Sequence, residues 1–143
     1  MLTNLPFERD HVDALAAEGV GLVLNMCEDS EYWDGQRDAV EAAFAETGIE
    51  EDRDCQVRDL GTHPLELLDS ATELIAQARA GGRNVAVHCR GGIERSATVA
   101  AAVLIDGENV SVEEAISRLQ AIAPQAAPLR DQRQALEAWA SSR

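Results

Sequence analysis

Lysine is absent from this 143-residue sequence, and all twelve of its basic residues are arginine. Acidic residues number 26, so the formal net charge is −14. A surface this acidic repels nucleic acids and anionic membranes, and we expect neither as a partner. Two explanations fit the acidity: adaptation to a cytoplasm of high salt, where charge repulsion is screened, or a genome whose codons favour arginine and alanine.

Long apolar runs are also missing, since none approaches the roughly 18 residues that span a bilayer. The N-terminal residues lack the basic and apolar regions of a signal peptide, so we expect none. The three cysteines are an odd number without metal-site spacing, which favours a reducing compartment and predicts no metal. We therefore expect a cytoplasmic protein, and its 45% hydrophobic residues suffice for a globular core.

Short apolar runs alternate along the chain with segments of helical periodicity. The predicted strands are residues 21–27, 84–88 and a weaker candidate at 53–58. The predicted helices are residues 12–16, 40–47, 64–80, 96–105, a segment capped by Ser111 with Glu114, and 130–140. This order predicts a single α/β domain over residues 1–143, with a small, mostly parallel central sheet and helices on both faces.

The loop after the strand at residues 84–88 carries the candidate chemistry, because active sites of such sheets lie beyond the carboxyl ends of the strands. It runs from Cys89 through five residues to Arg95 and is here called the Cys89 loop. A loop between a buried strand and a buried helix turns its backbone N–H groups towards one point above the sulfur. Such a loop binds a phosphate dianion and lowers the pKa of the thiol, while the arginine fork holds two phosphate oxygens. The residues expected to line the phosphate are Arg90, Gly91, Gly92, Ile93, Glu94 and Arg95.

The sequence HCRGGIERS at residues 88–96 resembles the HCxxGxxR[ST] signature of the protein tyrosine and dual-specificity phosphatases. Its HCxGGxxRS form is most similar to the branch around the cyclin-dependent-kinase-associated phosphatase. The resemblance extends from residues 5–7 to the last helix, although the family's N-terminal strands are expected to be missing. It implies the cysteine-phosphatase fold and hydrolysis through a phosphocysteine on Cys89, without metal or cofactor.

The resemblance also implies a general acid upstream of the Cys89 loop. Asp59, in the loop before Pro64, matches the family's acid, although the apolar residues that usually precede it are replaced by Val57 and Arg58. Other aspartates therefore stay as alternatives, namely Asp54 and Asp52. Ser96 is expected to hydrogen-bond the sulfur and to ease its departure in the second step.

Gln132 stands out by periodicity, because it lies on the apolar face that Leu129, Leu136 and Trp139 define in the last helix. The resemblance implies that this glutamine orients the water that attacks the phosphocysteine. The alternative is an amide at the edge of the apolar face that bonds to backbone.

Other polar residues near the motif have less specific expectations. His88 is expected to bond backbone and hold the Cys89 loop, and His63 either contacts substrate or has no role there. Cys27 and Cys55 are expected to be core thiols, with a disulfide that protects the reactive cysteine as the alternative. Residues 28–32 are expected to form a solvated loop, with a place at the rim of the site as the alternative.

The function predicted is a metal-independent phosphomonoester hydrolase, a protein tyrosine phosphatase with dual specificity, acting as a monomer on a phosphorylated protein or small phosphomonoester. An inositol-phosphate phosphatase is the alternative, which Arg90 favours and Glu94 opposes, since that position is often glycine or basic in the family. A non-catalytic phosphate-binding module is a further alternative. A rhodanese-type sulfurtransferase is disfavoured, because its loop typically has four residues between cysteine and arginine.

Overall fold

The structure, a computed structural model, describes all of residues 1–143. Its strands are β1 (Leu2–Thr3), β2 (Val20–Asn25), β3 (Glu50–Asp52) and β4 (Asn84–His88). Its helices are α1 (Arg9–Ala17), α2 (Gln36–Thr47), α3 (Leu65–Ala80), α4 (Arg95–Glu108), α5 (Val112–Ile122) and α6 (Arg130–Ser141). The strands form one parallel sheet in the order β1–β4–β2–β3, which confirms the predicted α/β class.

Both faces of the sheet are covered, because alternate side chains of its central strands enter two separate clusters. Val23 of β2 and Ala86 of β4 pack against α1 and α2. Leu22 and Leu24 of β2 belong to a larger core on the other face, which also receives buried residues of α3, α4, α5 and α6. A strand buried on both faces explains why β2 appears in the sequence as a continuous apolar run.

Helix boundaries follow local signals that the sequence displays. The Ser111 hydroxyl accepts a hydrogen bond from the Glu114 backbone N–H at 3.2 Å, which caps α5 as expected. Helix α3 follows Pro64 and ends before Gly81, where the predicted glycine pair lies. Helix α4 is the central buried helix, as its apolar composition predicts. None of the six helices combines the length and the apolar character needed to cross a membrane.

Two predictions about strands are wrong. Residues 53–58 form no strand; they leave β3 as a loop whose Cys55 and Val57 are buried, and this alternation imitates a strand. The N-terminal region does carry a strand, the two-residue β1, which pairs with the edge of β4. Pairing between residues so far apart in sequence has no local signal.

The pairing of β2 with β4 places the candidate chemistry at one edge of the sheet. Asn25 is the register partner of His88, so the two strands end together. Immediately beyond, the Met26 N–H donates to the His88 carbonyl at 2.9 Å. The loop after β2 and the Cys89 loop therefore leave the sheet side by side.

Candidate active site

The Cys89 loop is held by backbone contacts from both ends of the chain. The Leu5 N–H donates to the Arg90 carbonyl at 3.3 Å, and the Ala127 N–H donates to the Ile93 carbonyl at 2.8 Å. Gly92 has a φ of 66°, and a Cβ there would lie 2.9 Å from the Thr3 carbonyl oxygen. This position therefore requires glycine both for its backbone conformation and for the close approach of β1.

The Cys89 sulfur lies inside this loop as a hydrogen-bond acceptor. Its Sγ is 3.3 Å from the Ser96 Oγ, and the Ser96 and Ile93 backbones lie near enough to lower its pKa. Burial raises the pKa of Cys89, but these contacts and the charge of Arg95 outweigh it and hold the pKa below its ordinary value. The arrangement stabilises a thiolate.

The other two cysteines have the opposite environment. Both are buried free thiols, and none of the three cysteines forms a disulfide. Burial is the main cause that raises the pKa of Cys27 well above its ordinary value and that of Cys55 to about 12. Cys89 is thus the one cysteine of this chain whose pKa is lowered.

Arg95 is fully buried beside the sulfur. Its two terminal nitrogens donate to the two carboxylate oxygens of Glu31 at 2.8 and 2.7 Å, and Nη1 also donates to the Val57 carbonyl at 2.9 Å. Its Nε is buried and has no hydrogen-bond partner. The nearest carboxylate oxygen to this nitrogen is that of Glu94, at 3.3 Å.

Glu31 is a site residue to which sequence analysis gave no role, since residues 28–32 were expected to form a solvated loop or to line the rim. The prediction of a solvated loop is wrong for Glu31 and Tyr32, which are both buried. The Glu31 carboxylate also accepts the Glu28 N–H at 2.9 Å, which closes the turn after β2. Burial raises the pKa of Glu31, but the hydrogen bonds from Arg95 and from this N–H together hold it below its usual value.

Asp59 reaches the same guanidinium from the loop after β3. Its Oδ1 lies 2.9 Å from Arg95 Nη2, and its side chain is about half exposed, at 51%. Asp54 and Asp52 make no such contact; the Asp52 carboxylate instead accepts the Asp54 N–H at 3.2 Å. An aspartate that faces solvent beside the site has the position of a proton donor to a substrate's leaving group.

Gln132 is buried between the two loops rather than at the sulfur. Its Nε2 donates to the Gly61 carbonyl at 2.8 Å and to the Glu94 carboxylate, and its Oε1 accepts the Leu129 N–H at 2.9 Å. The hydroxyl of Thr98, which the sequence did not single out, lies 3.3 Å from the same Oε1 and donates to the Glu94 carbonyl at 2.8 Å. Water placement by this amide therefore stays a prediction, and backbone contacts are part of its role.

The two histidines of the site are buried and neutral. Burial lowers the pKa of His63 and of His88 to about 4 in each case. No ring nitrogen of either side chain makes a hydrogen bond of normal geometry, but the Cys89 backbone lies close enough to the His88 ring to raise its pKa against the effect of burial.

The sequence model described as "Dual specificity phosphatase, catalytic domain" matches residues 7–142. The chain therefore belongs to the dual specificity phosphatase catalytic domain family, which confirms the resemblance found in residues 88–96. The rat and human proteins called Dual specificity protein phosphatase 12 are 42% and 40% identical to it over 65 residues. These alignments cover 46% of this chain and 19% of each relative, so the chain corresponds to a small part of these curated proteins.

Solved structures of the same fold cover nearly the whole chain. A crystal structure of PTPMT1 in complex with PI(5)P superposes with a TM-score of 0.85 and 27% identity, over 99% of this chain and 89% of that one. A kinase associated phosphatase whose catalytic-site cysteine is substituted by serine also has a TM-score of 0.85, over 97% of this chain and 84% of that one. Its identity of 20% shows a common fold alone.

Proposed function

We propose that this chain hydrolyses phosphomonoesters through a phosphocysteine on Cys89. One observation carries the proposal: the Cys89 Sγ lies 3.3 Å from the Ser96 Oγ at the start of α4, and its loop ends in the buried Arg95, whose charge helps to lower the pKa of this thiol, whereas burial raises the pKa of the other two thiols. A stabilised thiolate under an arginine is the nucleophile that phosphoryl transfer requires. Membership in the dual specificity phosphatase family supports the same reaction.

The reaction has two steps. In the first, the Cys89 thiolate attacks phosphorus, the bond to the ester oxygen breaks, and Asp59 gives its proton to that oxygen. The Arg95 guanidinium and the backbone N–H groups of the Cys89 loop stabilise the phosphoryl oxygens. In the second, the oxygen of a water molecule bonds to phosphorus while Asp59 takes a proton from that water. The bond between phosphorus and sulfur breaks, and Cys89 leaves as the thiolate, with Ser96 hydrogen-bonded to it. We propose that Gln132 places this water.

The substrate we propose is phosphotyrosine in proteins, with dual specificity. Apolar side chains are exposed on the loops that carry the site, with Leu60 69% exposed next to Asp59 and Ile93 43% exposed next to Glu94. An aromatic ring gains from such neighbours, whereas the hydroxyls of an inositol ring lose water beside them. Three carboxylates within 3.3 Å of Arg95, from Glu31, Asp59 and Glu94, also disfavour a substrate with several phosphates.

A phosphoinositide or inositol phosphate is the second candidate. PTPMT1, 27% identical to this chain, has been crystallised with PI(5)P. Arg90 is the exposed cation of the Cys89 loop and would meet an additional phosphate. The candidate differs from the first only in substrate, since the chemistry at Cys89 is the same.

We further propose that residues 1–143 work as one monomeric phosphatase domain in a reducing, salt-rich cytoplasm. Three buried free thiols are compatible with a reducing compartment. The acidic, lysine-free composition supports high salt and argues against nucleic acid or membrane partners.

The test is a comparison of turnover on a phosphotyrosine peptide, the matching phosphothreonine peptide and inositol phosphates, each with the parent protein and Cys89→Ser. Fastest turnover on phosphotyrosine, lost in Cys89→Ser and unaffected by a chelator, supports the proposal. Preference for inositol phosphates would favour the second candidate. Equal activity of parent and Cys89→Ser would contradict the mechanism.

A further inference from the structure

Glu94 is an unusual residue to find in a loop that binds an anion. Its side chain is nearly buried, with one carboxylate oxygen 3.3 Å from Arg95 Nε and the other hydrogen-bonded to Gln132 Nε2. The contact with Nε lacks hydrogen-bond geometry, because that nitrogen has no hydrogen-bond partner. The hydrogen bond to Gln132 is therefore the specific contact of this carboxylate. The reaction described above has no use for it.

Gln132 joins this carboxylate to the loop that carries Asp59. The amide uses both of its N–H groups, one on Glu94 and one on the Gly61 carbonyl, and its oxygen accepts the Leu129 N–H. Rotating the amide by half a turn would place its oxygen against two acceptors and its nitrogen against a backbone donor. Its orientation is therefore determined by its surroundings.

Gly61 ends a tight turn that presents Asp59. The Gly61 N–H donates to the Arg58 carbonyl at 2.8 Å, and Leu60 has a φ of 61° while Asp59 does not have a positive φ. This is the pattern of a type II turn, in which glycine usually occupies the position of Leu60. A leucine there strains the backbone, so the turn needs contacts from outside to persist. The hydrogen bond from Gln132 to Gly61 is such a contact.

We infer that Glu94 is a positioning residue, which acts through Gln132 to hold the Asp59 turn against the Cys89 loop. Glu94 accepts one N–H of the amide, and this directs the other N–H to Gly61, two residues beyond the general acid. Without Glu94, the amide has a buried N–H without a partner and no longer fixes the turn. The effect on rate rests on the function proposed above, whereas the effect on the loop does not.

The dependence of kcat/KM on the leaving group distinguishes positioning of Asp59 from other roles of Glu94. Phenyl phosphate releases a phenol with a pKa of about 10, like tyrosine, and needs the acid. The leaving group of p-nitrophenyl phosphate is far more acidic and hardly needs it. Glu94→Ala and Gln132→Ala should lower kcat/KM on phenyl phosphate about tenfold or more, with little loss on p-nitrophenyl phosphate. Adding either change to Asp59→Asn should cause little further loss, because the acid is already missing.

Amide hydrogen exchange of residues 57–63 gives a second measurement that needs no turnover. Exchange should be faster in Glu94→Ala and Gln132→Ala than in the parent. Matched controls are Glu137→Ala and Gln134→Ala, which make the same chemical changes at exposed positions of α6 and should match the parent in both measurements.

Each other result has a definite meaning. An equal loss of kcat/KM on both aryl phosphates would overturn the positioning of Asp59. For Gln132, an equal loss of kcat with unchanged kcat/KM would overturn it in favour of water placement, since both substrates form the same phosphocysteine and kcat/KM does not include its hydrolysis. Higher phosphate affinity in Glu94→Ala, with an unchanged ratio between substrates, would mean that Glu94 acts only as a repelling charge. Unchanged exchange would overturn the inference whatever the rates. If the parent has no turnover, the proposed function fails, and exchange alone decides whether Glu94 holds the turn.

Discussion

Two arginines of this protein are each surrounded by carboxylates, but one is buried and the other is exposed. Arg95 contacts Glu31, Asp59 and Glu94 with a side chain that is 1% exposed. Arg118 pairs with Glu108 and Glu114 on the surface, where the three side chains are about half exposed. Water and salt screen the surface group but not the buried one, so similar ion pairs differ in their contribution to stability and function.

The largest effect is expected on turnover, from replacing Asp59, the partner of Arg95 that faces solvent. Asp59→Asn should lower turnover of a phosphotyrosine peptide by about 10²- to 10⁴-fold, because the leaving oxygen no longer receives a proton. Steady-state rates on this peptide and on p-nitrophenyl phosphate measure the effect, with a much smaller loss on the second. Asp54→Asn is the matched control. If Asp54→Asn shows this selectivity and Asp59→Asn does not, Asp54 is the acid.

Removing the buried partner should reduce stability. Glu31→Ala removes the bidentate partner of the buried Arg95 guanidinium and leaves it only Asp59 and Glu94, and we expect a loss of about 1.5–3 kcal/mol in the free energy of unfolding. Urea denaturation measures it. Glu108→Ala removes a surface partner of Arg118 and should leave the midpoint unchanged. Similar losses in the two variants would mean that burial does not distinguish the clusters.

Acid should reduce the free energy of unfolding through the two buried histidines. The pKa of His63 and of His88 is about 4 in the folded protein, below the ordinary value of about 6.5, so the unfolded chain binds more protons between these values. Stability is therefore complete above about pH 6.5 and falls as the pH falls towards 4. Between about pH 7.5 and pH 5 we expect a loss of about 2 kcal/mol per histidine, measured by urea denaturation.

Replacing a buried histidine checks the cause of this acid sensitivity. His63→Leu should make the dependence on pH shallower, whereas His11→Leu, at a half-exposed position, should not. An identical dependence in the parent and His63→Leu would assign the effect to carboxylates instead.

The smallest effect is expected from salt, which screens the repulsion between surface charges and so changes the melting temperature. A net charge of −14 produces repulsion that salt screens, so the melting temperature should rise by roughly 5 °C, equivalent to about 1 kcal/mol, between about 0.05 and about 3 M KCl. Thermal melts measure it. A melting temperature that stays constant or falls would mean that the acidity reflects composition alone.

Local signals explain which parts of the fold could be predicted. Ser111 and the glycines after α3 define helix ends through contacts within a few residues, and the Cys89 motif lies on one loop between two apolar elements. The strand β3 could not be predicted, because Glu50–Asp52 is an edge strand of acidic residues. Its pattern shows no buried face.

In the candidate site, too, only residues with a local signal in the sequence could be predicted. Glu31 binds Arg95, 64 residues further along the chain, and nothing in its neighbourhood distinguishes it from the other acidic residues of residues 28–34. Gln132 could be identified because an amide interrupts an apolar face, but its partners at Gly61 and Glu94 come from two other loops. The sequence therefore indicates the reactive group, and the fold supplies the charges that position it.

Trapping the intermediate tests the central claim most directly. The parent protein is mixed with a phosphotyrosine peptide, quenched within one turnover and digested, and the site of phosphate attachment is determined by mass spectrometry. The account predicts phosphate on the sulfur of Cys89 and none in Cys89→Ser, which should still bind the peptide. Turnover without phosphate on Cys89, or with phosphate on another residue, would contradict it.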